Sequence, residues 1–146
     1  MNNINLETTA EFQVRFSEVD SMGVVWHGNY VKFLEDGREE FGKKFGLGYL
    51  DTFDTGYLIP LVNMECNYKK PLLYGETGVI TTRFINTDAA KIIYEYSIYN
   101  KESKALLCTA KTIQVFLDLN RELVLTPPPF FIEWKKRMGL IIDNKG

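Results

Sequence analysis

A chain of 146 residues is long enough for one compact domain and short for two, and 45% hydrophobic with 25% charged residues is the balance of a soluble globular protein, which argues against a disordered chain or a membrane-embedded one. The formal net charge of −2 gives no global basic footprint for nucleic acid. No segment holds about 18 uninterrupted apolar residues and MNNINLETTAEF lacks the basic and apolar regions of a signal peptide, so the expectation is a single domain over 1–146, cytoplasmic, with no membrane insertion and no nucleic-acid partner.

Glu11 to Phe16 carries Phe12, Val14 and Phe16 in alternation with Glu11, Gln13 and Arg15, which predicts a half-buried strand. The polar, glycine-containing SEVDSMG ends it. From Asn29 the period changes: Tyr30, Leu34, Gly37, Phe41 and Phe45 recur at steps of four, three, four and four and share one helical face. Gly37 inside that stripe would cost about 1 kcal/mol against alanine in an exposed helix, so its expected use is the close approach of another element. Gly46 and Gly48 supply a stop after Phe45. Glu35 and Arg38, three apart, are expected to pair on the helix surface or at an interface.

After a connection around Asp51 to Gly56 the chain reads as strands. LIPLVNMECNYKK precedes a break at Pro71, and TGVITTRFI, KIIYEYSIYN and ALLCTAKTIQVFLDL follow, separated by the polar turn segments NTDAA and NKES. Pro127, Pro128 and Pro129 end the sheet, and FFIEWKKRMGLI predicts a short terminal helix. The order is strand, long helix, then about four antiparallel strands in an uninterrupted meander, an α+β chain whose sheet curls around the helix because both apolar faces need burial.

Cys66 and Cys108 lack the spacing of a zinc or redox motif and are read as small buried hydrophobes. With one histidine in the chain, a metal site is not expected. The chemistry is sought in carboxylates, that histidine, hydroxyls and backbone. Asp20 lies on the loop leaving the first strand, while His27, Gly28 and Asn29 occupy the loop-to-helix junction, where unsatisfied N–H groups and the positive end of the helix dipole suit a carbonyl or an oxyanion. A carboxylate near that junction suits a general base on water or a nucleophile toward an activated acyl group. An aspartate beside a turn also serves as a turn residue, and a histidine at a helix start as a polar cap. The residues alone leave both readings open.

The segment VRFSEVDSMGVVWHGNYVKFLEDGREEF resembles the signature of the 4-hydroxybenzoyl-CoA thioesterase family of hot-dog-fold proteins through Phe16, Asp20, Gly23, Val24, Val25, Trp26, His27, Asn29, Tyr30, Glu35 and Arg38. A second match, CNYKKPLLYGE, lies downstream through Tyr68, Pro71, Gly75 and Glu76. The resemblance covers most of the chain, the last thirty or so residues adding little. It implies a hot-dog fold, β-α-β-β-β-β with one long helix wrapped by a curved antiparallel sheet, and an acyl-CoA thioesterase with Asp20 as catalytic carboxylate and the helix start at His27 receiving the thioester carbonyl. The His27 imidazole would orient the substrate or assist the leaving thiolate. Gly23, Val25, Trp26, Asn29, Tyr30 and Tyr68 fall in the expected substrate-binding region, with Trp26, Tyr30 and Tyr68 read as core or pocket lining. Lys69 and Lys70, with Arg83 and Lys91 after them, are candidates for the phosphates of coenzyme A. No cofactor is expected, coenzyme A being part of the substrate. A homodimer is expected, since a small sheet leaves open edges, with pairing of dimers into a tetramer as the next step. The rival readings are an acyl-carrier-protein thioesterase, a dehydratase of the same fold, which would carry its histidine on another loop beside a proline-rich segment, and a non-catalytic acyl-CoA-binding protein, which would be expected to lose Asp20 or Gly23.

Overall fold

The structure, a computed structural model, describes residues 6–141. Strand β1 spans Glu7–Gln13, and two 3-10 turns, Phe16–Glu18 and His27–Asn29, lead to helix α1, Tyr30–Phe45. A single helical turn α2, Tyr49–Thr52, precedes β2 (Leu61–Tyr68), β3 (Thr77–Ile85), β4 (Lys91–Asn100) and β5 (Leu106–Val115), and α3 spans Pro129–Arg137. The five strands make one antiparallel sheet in the order β1-β3-β4-β5-β2. This is the hot-dog arrangement expected from the resemblance, a long helix against a curved sheet with a short C-terminal helix.

Two details differ from the sequence expectation. Strand β1 starts and ends earlier than Glu11 to Phe16, because Thr8, only 7% exposed, and Ala10 continue the inward alternation of Phe12, while Phe16 leaves the sheet and is 79% exposed. The meander is broken as well. Only β3, β4 and β5 are consecutive neighbours, whereas β2 crosses to the far edge and pairs with β5.

Cross-strand registers place Ala10, Ile80, Ile98, Cys108 and Tyr68 in one row across the sheet, and Thr8, Thr82, Tyr96, Ala110 and Cys66 in the next. Helix α1 lies on this face and buries Tyr30, Phe33, Leu34 and Phe41, each large side chain worth about 1.5–3 kcal/mol on leaving water. Gly37 makes the close approach that its position implies: a Cβ there would stand 2.4 Å from Thr82 Oγ1 and 3.1 Å from Ile80 Cδ1. Helix α3 seals the end of the core, with Trp134 donating its indole N–H to the Phe45 carbonyl at 2.7 Å and Phe84 packed edge-on against the Trp134 ring.

Arg38 does not pair with Glu35. It reaches inward over β4, where Nη1 donates to the Tyr96 hydroxyl at 3.3 Å, and that hydroxyl is 2.6 Å from Thr112 Oγ1. The helical spacing permitted the pair on the surface, but the phenol beneath the helix offers the guanidinium a partner sheltered from water.

Candidate active site at the helix entry

The loop after β1 is built around two carboxylates. Glu18, 5% exposed, turns its own carboxylate back so that Oε1 accepts the Arg15 N–H at 2.7 Å, and Oε2 stands 3.5 Å from Lys32 Nζ. Its backbone carbonyl accepts both the Trp26 N–H at 3.0 Å and the Asn29 side-chain amide at 2.8 Å. Loop and helix entry are thereby laced together at one peptide oxygen. The burial of Glu18 is set by the fold and has no local signature in the sequence.

Asp20 heads the tight turn inside that unit. Its N–H donates to the Val24 carbonyl at 2.8 Å, its carbonyl accepts the Gly23 N–H at 3.0 Å, and Oδ1 accepts the Met22 and Val24 N–H groups at 2.9 and 3.3 Å. Gly23 completes the turn at a φ of +78°, a conformation that other residues adopt only with strain. The turn is stitched to a third segment, with Val25 N–H donating to the Leu72 carbonyl and Tyr74 N–H to the Gly23 carbonyl. Glu76, matched by the resemblance, holds that segment by accepting the Leu73 N–H at 2.7 Å and the Asn100 amide at 2.9 Å. With Oδ1 committed to the turn, Asp20 keeps Oδ2 free of any partner among the described residues.

His27, Gly28 and Asn29 form the turn that feeds α1, and the amides of His27 and Gly28 have no acceptor among the described residues. They stand at the positive end of a 16-residue helix, the arrangement that stabilises charge developing on an oxygen. The His27 carbonyl accepts the Tyr68 hydroxyl at 3.2 Å, tying this entry to the end of β2. Tyr68 meets the Tyr30 ring edge-on at 5.0 Å, and Trp26 and His27 rings lie 4.9 Å apart. Desolvation lifts the Tyr68 and Tyr30 phenols to about 12, so both stay neutral and able to donate near neutral pH.

Val25 and Tyr30 are buried, whereas Trp26 and Tyr68 are about half exposed and form part of the site's open wall, not the core. The fold thus gathers Asp20, Gly23, Val25, Trp26, His27, Asn29, Tyr30 and Tyr68 at one end of α1. No hydrogen bond joins the Asp20 carboxylate to His27, and the two lie on opposite sides of the Val19–Val25 bridge.

A family model described as the thioesterase-like superfamily matches residues 14–135, the stretch that contains every one of these residues. The chain belongs to the thioesterase-like superfamily. A Bacillus subtilis protein named "Putative acyl-CoA thioesterase YneP" is 43% identical over 90 residues, 62% of this chain and 65% of that protein. The chloroplastic acyl-acyl carrier protein thioesterase ATL3 of Arabidopsis thaliana is 29% identical over 108 residues, 74% of this chain and 57% of that protein. These alignments span less than two thirds of either relative. The crystal structure of a DHNA-CoA thioesterase from Staphylococcus aureus superposes with a TM-score of 0.78 at 26% identity, covering 93% of this chain and 97% of that one.

In this thioesterase-like chain the basic candidates divide by position. Lys69 and Lys70 are exposed just beyond Tyr68, and both donate their backbone N–H to the Leu107 carbonyl. Arg83 and Lys91 lie at the other end of the sheet, and Arg83 faces Glu95 at 3.9 Å. A groove of about 840 Å³ runs between β1 and α1, lined by Phe12, Arg15, Phe16, Lys32 and Tyr74 among others, but neither Asp20, His27 nor Tyr68 lines it. Among the described residues no group of three or more His, Cys, Asp and Glu is placed to hold a metal ion, and no helix is long and apolar enough to cross a membrane.

Proposed function

We propose that the chain is an acyl-CoA thioesterase, hydrolysing an acyl-CoA to the free acid and coenzyme A. The observation that carries this reading is the lacing of the Asp20 turn to a helix entry whose leading amides are unpartnered, in a chain of the thioesterase-like superfamily. The thioester oxygen sits at the His27 and Gly28 amides, which take up the charge it gains as the carbonyl carbon becomes tetrahedral. Asp20, through Oδ2, either removes a proton from the attacking water or attacks the carbonyl carbon itself to give a mixed anhydride that water then opens; on either route the C–S bond breaks and the coenzyme A thiolate leaves and takes up a proton from solvent. Label found in Asp20 after a single turnover in heavy-oxygen water identifies the anhydride route, in which water opens the anhydride at the Asp20 carbonyl carbon. The reaction uses substrate and water alone.

Supporting the assignment of a coenzyme A ester are Lys69 and Lys70 just beyond Tyr68 and the naming of the Bacillus relative. The Arabidopsis relative's name favours a second reading, an acyl-carrier-protein ester, on the same residues. The open edge of β2, where Leu61 and Val62 are exposed, supports a homodimer closed along that strand.

The test is thiol release across a panel of aliphatic and aromatic acyl-CoA and acyl-carrier-protein esters, with wild type and Asp20→Asn side by side. The expected result is turnover on one class and a loss of about 100-fold or more in the variant, the scale of lost acid–base catalysis. Absence of turnover on every ester, or an unaffected variant, overturns the reading.

A further inference from the structure

Strand β1 is an edge of the sheet, and its outer side is unpaired. The Phe84 N–H donates to the Leu6 carbonyl and the Val14 N–H to the Glu76 carbonyl, so it is the even-numbered residues of β1 that bond to β3. The backbone N–H and C=O groups of Thr9, Glu11 and Gln13 therefore point away from the sheet, and none has a hydrogen-bond partner among the described residues. This edge is one wall of the groove of about 840 Å³ between β1 and α1. The floor is apolar, made by Ala10, Phe12, Phe33 and Ile80, with the Phe12 and Phe33 rings stacked at 4.1 Å. The opposite wall is the flank of α1 that carries Asp36, Glu39 and Glu40, all exposed and in no ion pair among the described residues. Lys32, on the same flank, is turned to the buried Glu18 carboxylate, and Lys44 closes the far end by donating to the Glu7 carbonyl at 3.4 Å. Partial desolvation raises the Asp36 carboxyl, with Glu39 and Glu35 adding to it against Lys32 and Arg15. The middle of the groove is short of cations.

We propose that the open edge of β1 and the acidic flank of α1 form a docking site for an extended basic peptide segment, which adds to the sheet as a strand antiparallel to β1. Peptide residues opposite Thr9, Glu11 and Gln13 exchange both backbone hydrogen bonds with them. The residues between these face α1, on the side where Ala10 and Phe12 lie half-buried. A lysine or arginine there lays its apolar stem over Phe12 and carries its charged head to Asp36 and Glu40. Charge selects this occupant. A second copy of β1, paired antiparallel about Thr9, would set Glu7 against Glu11, and an acidic segment would meet Asp36, Glu39 and Glu40; both place like charges together. A purely apolar strand would desolvate the same carboxylates and leave them unpaired. The groove includes neither Asp20, His27 nor Tyr68, so this docking site stands apart from the thioesterase reading.

The probe is a capped, fluorescently labelled peptide of about seven residues, alternating lysine and threonine, long enough to span Thr9 to Gln13. Titrated with the full chain at low ionic strength, it is expected to bind saturably by fluorescence anisotropy and to release in about 0.5 M salt, where exposed charges are screened. The same peptide with glutamate in place of lysine should not bind. Backbone N-methylation separates strand addition from simple charge attraction. With the lysines facing α1, the threonine amides point at β1, so methyl groups on the threonines abolish binding, whereas methyl groups on the lysines, whose amides point outward, leave it in place. Asp36→Asn with Glu40→Gln weakens binding by about 5-fold, the scale of two partly exposed charge pairs. In the complex, amide hydrogen exchange slows at Thr9, Glu11 and Gln13, the positions whose N–H groups are free without the peptide. Equal binding of the glutamate peptide, binding that survives methylation of the threonines, indifference to the double variant, or unchanged exchange at those three amides overturns the proposal. None of these readouts passes through thioester hydrolysis, so a chain that hydrolyses no ester counts against the thioesterase reading alone.

Discussion

Tyr96→Phe removes a single oxygen from the most enclosed polar contact beneath α1. The Tyr96 hydroxyl lies 2.6 Å from Thr112 Oγ1, and Tyr96 and Thr112 are 1% and 0% exposed. Burial raises the phenol above its usual range, with Arg38 opposing, so it remains a neutral donor. Without it the Thr112 hydroxyl is orphaned, a cost of about 1–3 kcal/mol. Arg38 is only partly buried and can turn toward water on its flexible stem, adding less than about 1 kcal/mol. The expected total is about 2 kcal/mol, or about 4–8 °C in melting temperature for a chain of this size. Thr112→Val alone costs less, about 1 kcal/mol, because the phenol keeps Arg38. The double variant leaves no orphaned hydroxyl, so its cost falls short of the sum of the singles by about 1–2 kcal/mol. Urea unfolding of all four proteins at one fixed concentration, which holds any assembly equilibrium constant, measures the cycle. Strict additivity would refute the idea that the two hydroxyls depend on each other.

Gly37→Ala should destabilise by about 1–2 kcal/mol, the overpacking against Thr82 and Ile80 exceeding the roughly 1 kcal/mol gained in helix propensity. Most of that cost should vanish in a Thr82→Ala background; a penalty unchanged there would place the strain elsewhere. Asp36→Asn should stabilise the protein near neutral pH. Partial desolvation raises the Asp36 carboxyl above its usual value, with Glu39 and Glu35 adding to it and Lys32 and Arg15 opposing. A carboxyl raised in the folded state favours folding as pH falls through its folded value, so the variant's advantage should be largest at neutral pH and shrink on acidification. Melting temperatures of both proteins across that range decide it, and an advantage that grows on acidification would contradict the assigned sign.

Local pattern carried the elements well and their partners poorly. The helix was legible from Tyr30 to Phe45 because a 3.6-residue stripe and a terminal glycine are properties of the segment itself, and Gly46 at a φ of +73° does cap it. The unusual glycine at 37 even announced a close approach. Alternation located β3, β4 and β5, but it says only that a strand has two faces and not which strand lies beside it, so the far-edge place of β2 was invisible. The start of β1 was missed because Thr8 is buried yet scores as polar. At the site, Asp20, Gly23 and His27 were found through spacing and resemblance. The burial of Glu18 and the inward reach of Arg38 to Tyr96 were not, because each is set by tertiary packing and not by the local pattern.

The displacement of β2 to the far edge has a kinetic meaning. β3, β4 and β5 are joined by short turns and close few residues of chain, whereas β2 must wait for β5, as in Cys66 with Ala110, and β1 for β3, as in Glu7 with Arg83. Such long closures cost chain entropy before any contact repays it, so the three-strand meander is expected to form first and its two flanks to dock afterwards. The loop bearing Asp20 follows one late flank, and Tyr68 ends the other. Amide hydrogen exchange should therefore find β4 the slowest element and the Asp20 turn and β2 released together in a smaller opening that spares the meander. The Asp20 turn would open well before the core does.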